Sequence, residues 1–507
     1  MTTHKKLRTI IAAMTAAGIL CAMPAGFAAE ATPTAAAQPA AQTATAAPAE
    51  TTSKPFAAVR VGKKWGAVTP SGNLAIPAEY DEISSYSADA VAVRQGKNWG
   101  IVRLDGTVIV PAIYKAIHPL AADTIIVQNT KDMYGAYDTA GNVLLPVEYR
   151  SVTPFYDGIS RVERKDKKFV FYRRDGSLLT NDTYLWASRF SEGLAVVEPT
   201  KNKMGYIDTN GSEAIPVRFE NAMIFQEGLA PVAVKKKWGF IDKSGTMVIQ
   251  PQFRAKSIGG FSDGLAMIKE KKHWAFIDKT GAKVIQTRYE DVDSFENGLA
   301  EVRREVKVGL LGGFLTSAVS FATGIPTFGV GTDLIGEKVK RGYIDKTGAE
   351  IISTKNDYNS FFMDGVALVR VKSKWGMVDR KGAYVVEPKY KGIHFFYDDL
   401  AAVQDGDKWG FVGRDGKIVI EPKYDEVHDF TDGIAAVRQG GKSFFIDKTG
   451  RVPFLLPNNI TDIGMFRDGF APVKIGDKWG FIDTKGTVVI PPAYTEVRTH
   501  QVTTDSL

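Results

Sequence analysis

A sentence of about 35 residues recurs along the whole chain, and it limits the folds open to it. One clear copy, residues 227–253, reads EGLAPVAVKKKWGFIDKSGTMVIQPQF. Its apolar runs are short and are bounded by Gly, Asp, Lys and Pro, the pattern of strands separated by turns. None is long enough to give a helix a buried stripe. Asp242-Lys243-Ser244-Gly245 reads as a hairpin link in which Asp accepts from turn amides and Gly takes a positive φ. Pro251 lacks an N–H and belongs at a strand edge or exit.

Taking the Trp of this sentence as the register mark, the copies fall at Trp65, Trp99, Tyr134, Phe169, Met204, Trp238, Trp274, Arg341, Trp375, Trp409, Phe444 and Trp479. Ten of the gaps are 34 to 36 residues and one is 67. Two further columns keep phase with the mark. A start such as Asp263-Gly264-Leu265-Ala266 precedes it, often behind a Phe (Phe225, Phe261, Phe295, Phe430, Phe466). An exit such as Pro388 with Tyr390 follows it. The mark accepts Trp, Tyr, Phe and Met, as packing tolerates and chemical recognition does not. Trp65, Trp99, Trp238, Trp274, Trp375, Trp409 and Trp479 are therefore expected to form an inter-repeat core, each worth roughly 1.5–3 kcal/mol of burial. The Gly beside the mark is expected to admit a close ring or backbone.

A unit this short cannot bury enough surface alone, so neighbours must stack. The expected fold is all-β, a tandem array of antiparallel β-repeats over residues 56–498. Propeller blades usually need nearer 40 residues, and twelve would make two rings or one large one. An open solenoid or superhelix is therefore favoured over a β-propeller.

The flanks differ in kind. Residues 1–29 combine Lys5, Lys6 and Arg8, an apolar Ala-rich run and small residues up to Ala28, the three parts of an export signal. Residues 30–55 form an Ala/Thr/Pro-rich spacer that cannot bury a core, and 499–507 read as a tail. The expected location is outside the cytoplasm: periplasmic, envelope-associated or secreted. Cys21 is the only cysteine, so a chain cleaved after Ala28 has no disulfide and must be stable through packing. The formal charge of +7 on 507 residues is too mild to argue for nucleic acid.

Two places break the sentence. Around Phe169 lie Arg161, Arg164, Lys165, Lys167, Lys168, Arg173 and Arg174, with Trp186 out of register. This copy reads either as a basic binding face (Arg164, Lys165, Lys168, Arg173, Trp186) or as a solvated turn beside a core Trp. Residues 305–338 interrupt a hairpin, and 308–332 carry no charge while including Phe314, Phe321 and Phe328. An apolar insertion of this size must dock on something. Docking on the array is the leading expectation, with contact to a partner or a membrane surface as the alternatives.

Lys237-Trp238-Gly239-Phe240-Ile241-Asp242, Lys408-Trp409-Gly410-Phe411 and Lys478-Trp479-Gly480-Phe481-Ile482-Asp483 together resemble the WG, or KWG, repeat family. The resemblance covers about residues 56–498. It implies a bacterial β-repeat protein, often exported, used as a binding or scaffolding module, and it supplies no catalytic positions. The histidines are far apart in sequence, and each turn Asp stands alone, whereas a metal needs convergent ligands. The expectation is a non-enzymatic protein without a cofactor, whose partner is a protein or a cell-wall polymer and not a nucleic acid; a small-molecule ligand is left open. The rival readings are an envelope enzyme with a site built from inter-repeat loops, and a structural spacer.

Overall fold

The computed structural model describes residues 57–305 and 339–498. The chain separates into two units, Met1–Glu50 and Thr51–Leu507, and every described residue lies in the second. Among the described residues there are twelve small antiparallel sheets, ten of four strands and two of three. Each four-stranded sheet is a meander of strands a, b, c and d, and the two three-stranded sheets hold a, b and c. In the sheet holding the sentence quoted above, a is Asn221–Ala222, b is Ala230–Val234, c is Lys237–Ile241 and d is Met247–Phe253. The a–b and c–d turns therefore share one rim of the array, and the b–c turns form the other.

The open array favoured above is corrected by the chain ends. The last strand, Glu496–Arg498, pairs antiparallel with the first, Ala57–Val61, and supplies strand a of the first sheet. Arg60 Nη1 donates to Glu496 Oε2 at 2.9 Å, and the Thr495 amide donates to the Arg60 carbonyl at 3.0 Å. An open stack of twelve sheets has eleven seams. Here twelve hydrophobic clusters each join two consecutive sheets, and one of them sets Ala57, Val59 and Val68 against Phe481, Ile490 and Tyr494. The array is a closed, twelve-bladed β-propeller.

A propeller blade of about 35 residues is feasible because of how the blades overlap. Strand c of one blade packs on strand a of the next, and d packs on the next b, as Lys64–Val68 does on Glu82–Ser87 and Leu74–Tyr80 on Ala90–Gln95. Each sheet is thus offset from its predecessor by two strands. A connector returning across a four-stranded sheet would have to span about 14 Å. Here Tyr80 ends one d strand and Glu82 begins the next a strand, so a single residue suffices. The saved connector is the length by which the repeat falls short of a usual blade.

The columns of the repeat now have physical roles. Trp65, Trp99, Trp375, Trp409 and Trp479 each pair across strands c and d with the exit Tyr (Tyr80, Tyr114, Tyr390, Tyr424, Tyr494). Between this pair and the next, strand d gains extra residues and bulges around its Pro, as at Pro77 and Pro251. A Cβ on Gly239 would lie 2.4 Å from the Ile249 carbonyl oxygen, and one on Gly410 2.4 Å from that of Ile420. Only glycine fits there. The bulge and its Pro also keep the unpaired edge of d from recruiting another strand.

Trp65, Trp274 and Trp375 are buried, while Trp99, Trp238, Trp409 and Trp479 are half-buried. A cation from strand b covers several of them, as Arg60 does Trp65, Arg94 does Trp99 and Lys474 does Trp479. The deepest bulk in the seams is a different pair. The aromatic residue two steps after the mark meets the Phe before the next start edge-on: Phe240 with Phe261 at 5.0 Å, Phe276 with Phe295 at 4.7 Å and Phe411 with Phe430 at 4.7 Å; Phe445, one step after Phe444, meets Phe466 in the same way at 4.9 Å. Such edge-to-face pairs add to the burial of their area.

Candidate functional site

The two rims of the ring are largely committed to holding it together. Asp157 and Gly158 have positive φ values of 52° and 76°, the mark of the tight a–b hairpin turn that an Asp-Gly pair favours. The carboxylate of one a–b turn accepts the Gly amide of the next: Asp157 from Gly193 at 3.1 Å, Glu192 from Gly228 at 3.1 Å, Asp398 from Gly433 at 2.6 Å and Asp432 from Gly469 at 2.8 Å. Lysines of the neighbouring c–d turns add charge pairs, with Lys243 3.2 Å from Glu192 and Lys279 3.1 Å from Glu227. The Asp of each c–d turn caps its own link. Asp242 Oδ1 accepts the amides of Ser244 at 2.9 Å and Thr246 at 3.0 Å. The Ser244, Thr280 and Thr449 hydroxyls hold Asp242, Asp278 and Asp447 below the usual carboxylate range, with turn amides helping. Among the described residues no three His, Cys, Asp or Glu side chains converge to hold a metal.

On the opposite rim, lysines of the Trp-preceding column find acids of the next blade. Lys64 Nζ lies 2.6 Å from Asp81, and Lys408 pairs with Asp425. Asp81 and Asp425 also cap the b–c turns at Gly96 and Gly440, both at 2.7 Å. These lysines do not form an unbroken cationic edge.

The basic copy is spread out in the same way. Arg164 lies 3.6 Å from Asp166, and Lys165 3.8 Å from Glu148. Arg173 donates to the Leu178 carbonyl at 3.2 Å, and Arg174 to that of Asp123 at 3.2 Å. Lys168 is half-buried beside them. Trp186 stands in the two-residue strand Trp186–Ala187 and packs on the next seam, with Tyr206 and Phe225. Arg161 of the basic copy reaches the carbonyl of Ala187, the residue after Trp186, at 3.2 Å. Phe314, Phe321 and Phe328 lie outside the described residues, as do the signal, the spacer and the tail.

Two other places break the repeat in space. Between the seventh and eighth blades a groove of about 650 Å³ is lined by His273, Thr287, Arg288, Tyr289, Gly348 and Glu350. Thr287 occupies the step held by Pro in blades such as that of Pro251, and its d strand is shortened to Lys283–Gln286. Arg288 stands 3.8 Å from Glu350, and burial raises the Tyr289 phenol above its usual range.

The second place lies on the a strands of blades nine to eleven: Tyr358–Met363, Gly392–Tyr397 and Glu426–Val427, the last followed by His428 and Asp429. Strand a bulges just before its core Phe, which turns the preceding residues outward. Phe361 is 57% exposed and stacks on Phe395 of the next blade, with centroids 5.9 Å apart and planes 26° from parallel. Beside it, His394 Nδ1 lies 2.7 Å from Asp429 Oδ1 in the following blade. The His394 ring also rests on Trp409 at 5.0 Å. The imidazole is thus held on two sides.

Sequence reasoning missed this cluster because Phe361 and Phe395, like His394 and Asp429, are about one repeat apart in the chain. The available signal was their repeat position. Phe361, Phe395 and Asp429 all stand one residue before the core Phe, where other blades place Gly260, Ser294 or Ile224.

The family model for the WG containing repeat matches eleven segments: residues 65–99, 99–130, 134–169, 204–238, 238–272, 274–305, 342–375, 375–409, 409–442, 444–479 and 479–499. No curated protein matches the chain. Among solved structures, a eukaryotic initiation factor is similar at 11% identity and a TM-score of 0.34, over 79% of this chain and 95% of that one. PorZ, a bacterial surface component of the type-IX secretion system of Porphyromonas gingivalis, has 9% identity and a TM-score of 0.24, over 86% of this chain and 80% of that one. BamB from Moraxella catarrhalis has 11% identity and a TM-score of 0.24, over 66% of this chain and 91% of that one. Likeness at this level carries no argument about function.

Proposed function

The chain belongs to the WG containing repeat family, and from that premise we propose that it is an exported, non-catalytic binding or scaffolding protein of the bacterial cell envelope. The observation that carries the reading is the exposed Phe361–Phe395 stack. Blades with Gly260 or Ser294 at the same step are built alike, so the fold makes no demand for an aromatic ring there. Leaving two rings stacked at the surface opposes the hydrophobic effect, and a patch that does so marks a contact surface. A ring tied through both rims holds such a patch rigid, which lowers the entropy lost on binding. The export part rests on residues 1–29 and their three-part signal pattern.

Two measurements test it. The full chain with a C-terminal tag is expected in the envelope or the medium with Ala29 as its first residue; an intact chain in the cytoplasm contradicts export. The exported chain is expected to retain a component of envelope extract that the Phe361→Ala/Phe395→Ala double variant does not retain. Equal recovery by both chains removes binding from this surface.

A further inference from the structure

The neighbourhood of the Phe361–Phe395 stack says what kind of ligand it suits. The outer face of Phe361 offers a flat apolar platform. Phe395 beneath it is partly buried against the seam that contains Tyr390 and Phe396, so the platform is anchored rather than mobile. The neighbouring imidazole has a defined role. Asp429 accepts the Nδ1–H of His394, which leaves Nε2 as the acceptor of the neutral ring. None of the described protein hydrogen bonds uses Nε2, while the His394 side chain keeps 30% of its surface and Asp429 keeps 24%. The patch therefore combines an aromatic face, one oriented acceptor and a carboxylate. The described contacts place no Lys or Arg side chain on Phe361, Phe395 or His394.

An anionic polymer meets the Asp429 carboxylate here with no Lys or Arg among those contacts to offset it. A purely apolar ligand leaves the imidazole acceptor and the carboxylate without a partner, and burying unpaired polar groups costs free energy. The matching chemistry is an uncharged ring with C–H bonds on its face and hydroxyl groups on its edge. We propose that the surface formed by Phe361, Phe395, His394 and Asp429 is a binding site for a neutral saccharide unit. The apolar face of a pyranose covers Phe361, and an edge hydroxyl donates to His394 Nε2. Neighbouring blades repeat the same step, with Met465 following Asp429 in the twelfth blade, so a linear polysaccharide running across the a strands from blade to blade meets consecutive positions of one row.

This assignment rests on the binding reading above and deepens it. The test titrates the mature chain, residues 29–507, with chitotetraose, cellotetraose and maltotetraose by calorimetry, and follows tryptophan fluorescence, because Trp409 touches His394. At least one of the three is expected to bind. Phe361→Ala is expected to weaken binding by about tenfold, the scale of one lost aromatic contact. His394→Ala is expected to weaken it as well and to abolish the fluorescence change, with both variants melting at the wild-type temperature. Binding of none of the three, or binding that neither substitution alters, overturns the saccharide assignment. If envelope capture depends on Phe361 while all three oligosaccharides fail, the binding function stands and only the ligand class falls. If Phe361 affects neither, both readings fall.

Discussion

Two adjacent steps of strand a follow opposite rules. At the core step Phe225, Phe261, Phe295, Phe430 and Phe466 recur, all 0–1% exposed and each against an aromatic of the preceding blade, tilted at Phe225 and edge-on at the others. One residue earlier the same strands carry Ile224, Gly260, Ser294, Asp429 and Met465, and blades nine and ten carry Phe361 and Phe395. The first step repeats because a ring of equivalent seams needs equivalent bulk at each. The second varies because the a-strand bulge frees it from the seam. In a repeat protein, identity between copies reports packing, and local departure reports what packing leaves free.

The sharpest way to break this comparison is to truncate both steps. Phe411→Ala removes half of a seam pair in which Phe411 is fully buried. It is expected to cost about 3–5 kcal/mol in chemical denaturation. Phe361→Ala, only one blade away, is expected to stay within about 0.5 kcal/mol of wild type. Similar losses at both sites would erase the distinction. Next in size is Gly239→Ala. Its Cβ would collide with the Ile249 carbonyl at 2.4 Å, and the displaced d strand is expected to cost about 1–3 kcal/mol. A neutral result would mean that the bulge yields freely and that the Gly column does not reflect close approach.

The smallest effect concerns the turns. Asp242, Asp278 and Asp447 are held below their ordinary values by hydroxyl and amide donors that exist only in the folded chain. A carboxyl with a depressed folded value contributes stability that is fully present above its unfolded value, near 3.9, and is lost as pH falls through the folded value. The melting temperature is therefore expected to be flat from about pH 8 to 5 and to fall below about pH 4. Asp242→Asn should soften the acid decline slightly. A fall that begins near pH 6 would point to histidine instead.

Much of this molecule can be read in the chain. The repeat length, the strand character of each run and the Asp-Gly turns follow from composition at fixed spacing. Ring closure does not, because its agent is the three-residue strand Glu496–Arg498, which looks like any other strand a. Its partner Ala57–Val61 becomes its neighbour only through the rotation accumulated over twelve blades. The preference for an open array over a propeller failed for a related reason. It took about 40 residues as the length a blade needs, and the two-strand offset, set by c packing on the next a, lets a shorter repeat serve. The stack of Phe361 on Phe395 stayed hidden because each ring alone looks like one more apolar residue in a strand.

Closure is the central claim, and a disulfide tests it most directly. Val59 and Val497 are register partners of the closing pair, and such partners have Cα atoms about 4.5–5.5 Å apart, inside the range a disulfide requires. Residues 29–507 contain no cysteine of their own. Val59→Cys/Val497→Cys is expected to oxidise to an intramolecular disulfide that gives the monomer a reductant-sensitive shift in gel mobility. Free thiols, or crosslinks only between molecules, would mean that the two ends do not meet and that the array is open.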